Sequence, residues 1–284
     1  MELELKVTDY SVDEDGVATV RFNRPGRGNS WTGRMNVEYR WIMARLDADP
    51  AVRVIVLRGA GKQFCVGADF KALDFYAEDE RDYLSTVDMR EAAQPGYGVR
   101  AEFDHDLVWL WGLRKPVICA INGACAGIAV AIAAYCDLRY AVAGAKFTTV
   151  AARLGLPAEY GLGWVLPRQV GVTHAADILL TGRVFTAEEA LAMNFLNGVF
   201  PAEEFDERIA GIARGMARTV SPEAALTTKR QLYAELMEHD IGACIEDSKR
   251  LIGKHMQQAD YKEAVAAMAQ KREPKFAGLP GAAP

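Results

Sequence analysis

A long apolar run broken by small residues, KPVICAINGACAGIAVAIAAYCD from Lys115 to Asp137, constrains the fold more than any other stretch. It opens as a strand-like segment, turns at glycines and continues as an apolar helix. The interruptions at Asn122, Gly123 and Gly127 argue against a membrane span, which needs about 20 consecutive apolar residues. The run therefore predicts a buried strand and a buried helix. The first backbone N–H groups of such a helix have no partner within it, so they can stabilise a developing negative charge.

The first 200 residues alternate between strand-like and helix-like segments. GVATVRF (16–22) and VRVIVLRG (52–59) are short runs rich in valine and isoleucine, which is typical of buried strands. Between them, apolar residues recur at helical spacing, at Met35, Val37, Trp41, Ile42 and Leu46. Two further strand-like runs flank the helix of the opening stretch. Strands that alternate with helices predict an α/β fold.

The character of the sequence changes near Pro201. Beyond it, the chain consists of amphipathic helical segments without a strand-like run. We therefore predict that residues 1–200 form the α/β core with the functional site, and that residues 201–284 form a C-terminal helical region. The last residues, 277–284, are small or apolar and are expected to be frayed.

Composition restricts the partners of the chain. A net charge of −5 over 284 residues argues against nucleic acid as the main partner. The N-terminal segment lacks the basic and apolar regions of a signal peptide, so we expect a cytoplasmic protein that does not bind a membrane. The cysteines show no metal-ligand spacing and predict no metal site; most lie in apolar runs, as core residues of a reducing compartment do: Cys65, Cys119, Cys125, Cys136 and Cys244.

Two backbone N–H groups follow glycine turns in this chain. In FCVGADFKAL (64–73), Gly67 allows a tight turn, and the N–H of Ala68 comes directly after it. In the opening stretch, Ile128 follows Gly127 at the predicted helix start. Two such donors, brought together, would form an oxyanion hole.

Together and in this order, the segments resemble the enoyl-CoA hydratase/isomerase (crotonase) family. The similarity begins at FNRPGRGNS (22–30), continues through GAGKQFCVGADFK (59–71) and KPVICAINGACAG (115–127), and ends at KEAVAAMAQKREPKF (262–276). The resemblance implies a crotonase-like spiral of ββα turns with a C-terminal helical trimerisation region. It also implies an acyl-CoA substrate, a homotrimer or dimer of trimers, and no cofactor, since CoA is part of the substrate.

The resemblance also assigns residues. It implies that Ala68 and Ile128 supply the two oxyanion N–H groups. The family usually has glycine at the position of Ile128, so we expect the added side chain to crowd the acyl pocket or shift the loop. Arg27, Lys71 and Lys271 are candidate contacts to the CoA phosphates or adenine. Solvated surface cations are the alternative interpretation of all three.

The two glutamates of the family's hydratases are absent. Their positions are occupied by Ala131 and Ala151, whose methyl groups can neither activate water nor deliver a proton. Dienoyl-CoA isomerases of the family carry a further acid at the position of Glu159, which makes this residue the candidate acid/base. The alternative is structural: Pro157 and Glu159 would be the first and third residues of a short helix.

These residues favour double-bond isomerisation over hydration. The oxyanion hole would stabilise an enolate, and Glu159 would transfer the proton. One alternative is a non-catalytic acyl-CoA binding protein that has kept the oxyanion pocket and lost the acids. Another is a hydratase or hydrolase that takes its acid from the polar insertion at residues 75–106.

Overall fold

The computed structural model describes residues 3–69 and 92–281. Within these ranges, a main sheet has the strand order β1-β2-β3-β4-β6-β9, with β1 and β2 antiparallel and the other neighbours parallel. Its strands are β1 (Thr8–Val12), β2 (Val17–Phe22), β3 (Val54–Gly59), β4 (Val117–Ile121), β6 (Leu138–Val142) and β9 (Gly198–Phe200). A smaller sheet contains β5 (Cys125–Ala126), β7 (Lys146–Thr148) and β8 (Phe185–Thr186).

Helices connect the strands and form the C-terminal third of the described chain. The helices before Pro201 are α1 (Gly33–Ala48), α2 (Trp109–Gly112), α3 (Ile128–Tyr135), α4 (Leu162–Thr181) and α5 (Ala187–Ala192). Those after it are α6 (Ala202–Thr219), α7 (Pro222–Glu235), α8 (Ile241–His255) and α9 (Ala259–Gln270). None of the helices in the described ranges is long and apolar enough to cross a membrane.

The connections repeat one pattern, in which a strand of the main sheet leads to a strand of the smaller sheet and then to a helix. β4 leads to β5 and α3, and β6 leads to β7, a short 3-10 helix at Ala151–Leu154, and then α4. These are ββα turns, so the predicted spiral is confirmed. The turns bring the carboxyl ends of several strands to one edge, where a site can be assembled from distant segments.

The core lies on both faces of the main sheet. A large cluster fills the space between the two sheets and α1, α3 and α4. A smaller one packs Phe205 and Ile209 of α6 against Val54, Val56 and Ile118 on the other face. Burying each large apolar side chain contributes about 1.5–3 kcal/mol, so α6 is held to the sheet mainly by this cluster.

Helix α7 is tied to the core by a buried charge. Lys229 Nζ lies 2.8 Å from Asp137 Oδ2, and Tyr233 Oη donates to Asp137 Oδ1 at 2.8 Å. The ring of Tyr233 also stacks on Trp111, with ring centroids 4.5 Å apart. The predicted boundary between residues 1–200 and 201–284 stays a prediction, but α7 packs directly on the α/β part.

The expectation of a frayed tail is wrong for residues 277–281. Leu279 is 2% exposed. Arg53 Nη2 donates to the carbonyl of Phe276 at 2.6 Å, and Arg114 Nη1 donates to that of Pro280 at 2.8 Å. The sequence predicted fraying because the tail residues are small or apolar. Composition alone could not show that the fold buries Leu279, or that two arginines are placed to donate hydrogen bonds to the tail carbonyls.

Candidate active site

The two glycine turns predicted from the sequence lie side by side. Cys65 N–H donates to Ala124 O, and Ala126 N–H donates to Cys65 O, both at 3.0 Å. An added Cβ at Gly67, whose φ is +97°, would lie only 3.2 Å from the carbonyl oxygen of Ala126. Glycine is therefore required for this close approach, which places the turn before Ala68 against the turn before α3.

The backbone N–H of Ala68 points away from its neighbouring strand. Trp31 N–H donates to Gly67 O at 2.7 Å, and Asp69 N–H donates to Trp31 O at 3.0 Å. Trp31 thus bonds the residues on either side of Ala68, the pattern of a parallel bridge. The N–H of Ala68 is left available on the opposite side.

The second N–H comes from the start of α3. Gly127 precedes the helix with φ +54° and ψ −124°, a conformation that essentially only glycine adopts. Ile128 is the first helical residue, so its N–H has no partner inside the helix and lies at the positive end of the helix dipole. Two donors suited to an anionic oxygen therefore belong to adjacent turns.

The side chain of Ile128 packs into the main core and is 7% exposed. It does not line the pocket described below. The expectation that Ile128 crowds the acyl pocket stays a prediction. The extra side chain is accommodated by apolar packing, and the backbone of Gly127 still adopts its glycine conformation.

The positions of the two absent glutamates are buried. Ala131 on α3 is 0% exposed, and Ala151, at the start of the 3-10 helix, is 6% exposed. A methyl group can neither donate nor accept a proton, so neither of these two side chains can take part in proton transfer.

Glu159 lies in an irregular segment before α4. The helix begins at Leu162, after Gly161 with φ +72°, so the interpretation of Pro157 and Glu159 as helix-start residues is wrong. The side chain of Glu159 is half-buried, and burial raises the pKa of its carboxyl group. Among the residues that the structure describes, none forms a hydrogen bond or ion pair with this carboxylate. A carboxyl group in this environment is suited to accepting and returning a proton.

An aromatic pocket of about 390 Å³ adjoins the residue after the acid, Tyr160. Trp111, Tyr135 and Trp164 contribute rings to its lining. Tyr135 Oη donates to Tyr160 O at 2.7 Å, which joins the end of α3 to the segment before α4. A Cβ at Gly161 would lie 2.6 Å from Tyr135 Oη, so this contact leaves no room for a side chain at position 161.

The rim of the pocket carries acids from the end of the predicted insertion. Glu102 and Asp106 line it. Each is paired with an arginine: Asp106 with Arg40, and Glu102 with Arg100 at 3.3 Å. The insertion therefore does bring carboxylates to the pocket, while its residues 75–91 lie outside the described ranges.

The three candidate CoA contacts are placed differently. Arg27 is exposed at the end of the 3-10 helix Pro25–Arg27, and Lys271 is exposed at the C-terminal end of α9. Lys71 lies outside the described residues. Their role as CoA contacts stays a prediction.

Sequence reasoning missed the aromatic pocket. Trp111 is 2% exposed and packs in the core, and both Trp111 and Trp164 also line the pocket. One signal was available: Tyr135 comes two helical turns after Ile128, so both residues share one face of α3. His105 and Met237 reach the pocket from distant segments and carried no such signal.

Comparison with known proteins places this geometry in a family. The sequence model of the family described as enoyl-CoA hydratase/isomerase matches residues 13–279. The chain belongs to the enoyl-CoA hydratase/isomerase family. The predicted resemblance is thereby confirmed over nearly the whole sequence.

Relatives of this family member have more than one activity in their names. A probable enoyl-CoA hydratase of Mycobacterium tuberculosis is 33% identical over 264 residues, which cover 92% of this chain and 89% of that protein. The 1,2-epoxyphenylacetyl-CoA isomerase of Escherichia coli is 33% identical over 268 residues, with coverages of 93% and 96%. The crystal structure of an enoyl-CoA hydratase of Mycobacterium smegmatis superimposes with a TM-score of 0.82 at 26% identity, over 96% of this chain and 99% of that one.

Proposed function

We propose that this protein is an acyl-CoA enzyme that moves a double bond along the acyl chain of an enoyl-CoA thioester. The observation that supports this most is Glu159, a half-buried carboxyl group with a raised pKa beside an apolar pocket. The alanines at positions 131 and 151 leave it as the acid/base candidate by family position.

The proposed reaction needs one proton acceptor and one anion site. Glu159 removes a proton from C2 of a 3-enoyl thioester, and the electron pair moves into the carbonyl as a dienolate. The N–H groups of Ala68 and Ile128 stabilise the negative oxygen. The same carboxyl group then returns the proton at C4, which leaves the double bond between C2 and C3. Atoms and charge balance without a cofactor.

Hydration is less well supported by this site. Adding water requires one group to activate the water and another to protonate C2. Ala131 and Ala151 supply neither. The relatives include a hydratase and an isomerase, so the family alone does not choose between the two reactions.

Two other functions have specific support. This chain lacks both glutamates and keeps two available backbone N–H donors. A non-catalytic acyl-CoA binding protein would show the same combination. The acids Glu102 and Asp106 at the pocket rim support a hydratase or hydrolase with its acid in the insertion, although each is already ion-paired with an arginine.

We also propose that the protein acts in the cytoplasm as a homotrimer or a dimer of trimers. Apolar side chains on the C-terminal helices are exposed in the single chain: Ile241 is 75% exposed, Ile252 60% and Met268 81%. Neighbouring subunits would cover them. A monomeric mass in sedimentation equilibrium at micromolar concentration would contradict this assembly.

The decisive experiment compares wild type with Glu159→Gln in the conversion of 3-enoyl-CoA to 2-enoyl-CoA. Glutamine keeps the shape of the side chain but cannot accept the proton, so we expect a loss of ~10²–10⁴-fold in kcat. Acyl-CoA binding should change little because the oxyanion donors are backbone groups. Glu207→Gln, at an exposed position of α6, is the matched control and should be fully active.

The remaining outcomes separate the alternatives. Equal activity of wild type and Glu159→Gln would show that the base is another group. Tight binding of acyl-CoA without isomerisation or hydration by wild type would favour the binding protein. Rapid hydration of 2-enoyl-CoA by wild type would favour an acid from residues 75–106.

A further inference from the structure

The aromatic pocket lies at the opposite end of α3 from the N–H of Ile128. Ile128 and Tyr135 are the first and last residues of α3 and lie on the same face, two turns apart. The rise of a helix puts Tyr135 about 10 Å beyond Ile128 along the axis. In the proposed acyl-CoA function, a thioester held at the N–H of Ile128 would need an acyl group about 10 Å long to reach Tyr135.

The walls of this pocket are rings held in place by other rings. Trp111 lies 5.2 Å from Tyr135 and 6.0 Å from Trp164 between ring centroids. Tyr233 stacks on Trp111 with an angle of 7° between the planes, and the guanidinium of Arg168 lies 3.8 Å from the centroid of Trp164. Fixed planar walls complement a flat ligand better than a flexible chain, which loses more conformational freedom when it binds.

The size of the pocket suits a ring. A cavity of about 150 Å³ lined by apolar side chains is enough to hold benzene. The volume here is about 390 Å³, which accommodates a substituted or fused ring together with part of its linker. Each added ring–ring contact favours an aromatic ligand roughly 2- to 10-fold beyond its buried area.

The acids at the rim do not make this a receptor for a cation. Asp106 is paired with Arg40, whose side chain is 2% exposed, and Glu102 is paired with Arg100. Each carboxylate therefore already has a positively charged partner. The pocket therefore favours a neutral ring over an ammonium group.

We propose that this pocket selects CoA thioesters whose acyl group ends in an aromatic ring over straight-chain thioesters with the same number of carbons. The selection rests on the proposed acyl-CoA function of the site, and it names the substrate class of that site. Trp164 is the specificity-determining residue of this pocket. Because it is half-buried and lies on the surface of α4, it can be replaced with less disturbance of the core than the buried rings of the pocket.

The test measures Kd by calorimetry for pairs of saturated thioesters that the enzyme cannot isomerise. Phenylacetyl-, 4-phenylbutanoyl- and 6-phenylhexanoyl-CoA are paired with octanoyl-, decanoyl- and dodecanoyl-CoA, which match them in carbon count. We expect at least one phenyl compound to bind ~5- to 10-fold more tightly than its straight-chain partner. Trp164→Leu should reduce that ratio to about one.

Trp41→Leu is the matched control. Trp41 is also half-buried, lies under the guanidinium of Arg45 on α1, and does not line the pocket, so its replacement should leave the ratio unchanged. A ratio of one or less for all three pairs in wild type would overturn the inference, and so would a preference that survives in Trp164→Leu. If none of the six thioesters binds, the proposed acyl-CoA function fails as well.

Discussion

The two sides of the candidate site are built from different parts of the chain. On the proposed oxyanion side, the groups that would face the substrate are backbone N–H groups, held by glycine turns that hydrogen-bond to each other. On the proposed proton-transfer side, the chemistry would depend on one carboxyl group, Glu159, in a segment without regular structure. The first side should tolerate a change of side chain, because every residue except proline has an N–H. The second side should change its chemistry when its acidic side chain is replaced.

The sharpest test of this difference uses two substitutions at one position. Ile128→Pro removes the N–H, yet proline is well tolerated at the first residue of a helix. We expect it to reduce kcat by ~10²–10³-fold, the effect of losing one oxyanion donor. Ile128→Ala keeps the N–H and should change kcat less than about tenfold, although deleting the buried side chain should cost ~2–5 kcal/mol of unfolding free energy. Equal effects of the two variants on kcat would disprove the role of the N–H.

A smaller loss is expected when the other turn is displaced. In Gly67→Ala, the new methyl group would lie 3.2 Å from Ala126 O on a backbone with φ +97°, so the turn must shift. A displacement near 1 Å would reduce kcat by up to ~10²-fold. Gly144→Ala is the control, because Gly144 also has a positive φ, +74°, but no atom lies within 4 Å of the added Cβ. If both variants lose the same activity, the close contact of the turns does not matter.

The pH dependence of kcat probes the proton-transfer side. Glu159 must be deprotonated to act as the base, and burial raises its pKa above the ordinary value of 4.5. The rate should therefore fall about tenfold per unit as the pH drops below that raised pKa, and it should reach a plateau above it. The acid limb should lie at higher pH than for an exposed glutamate and disappear in Glu159→Gln. A wild-type profile that falls only below pH ~4.5 would contradict the assignment.

The smallest expected effect is on stability. Because the folded state raises the pKa of Glu159, the charged carboxylate is disfavoured there, and wild type loses stability as the pH rises through the folded pKa. Glutamine stays neutral, so Glu159→Gln should have a higher Tm than wild type at pH 7. At pH 4 the two Tm values should converge, since the wild-type carboxyl group is then protonated. A lower Tm for the variant at pH 7 would indicate an ionic partner for Glu159.

The parts of the molecule that depend on local pattern were predictable from sequence. The apolar spacing in α1 identified five residues, of which the structure buries Met35, Ile42 and Leu46 and leaves Val37 and Trp41 half-buried. The glycine turns were also found, since positive φ angles restrict the residue type at Gly67 and Gly127.

The parts that depend on distant contacts were not predictable. The pocket combines Trp111, Tyr135, Trp164 and Met237, which only the tertiary fold brings together. The alternative that placed a helix start at Pro157 is wrong because the chain stays irregular there, although proline is a common first residue of a helix, and α4 begins only at Leu162 after Gly161. The pairing of Asp106 with Arg40, 66 residues away in sequence, likewise follows from packing.

The contact between Gly161 and Tyr135 restricts how this protein can acquire new substrates. Position 161 has both a positive φ and a hydroxyl oxygen 2.6 Å from any added Cβ, so a substitution there must strain the backbone and also displace Tyr135. Position 164, one turn along the same segment, has neither restriction. In a mutagenised library selected for growth on unfamiliar thioesters, accepted changes should accumulate at position 164 and be absent at position 161.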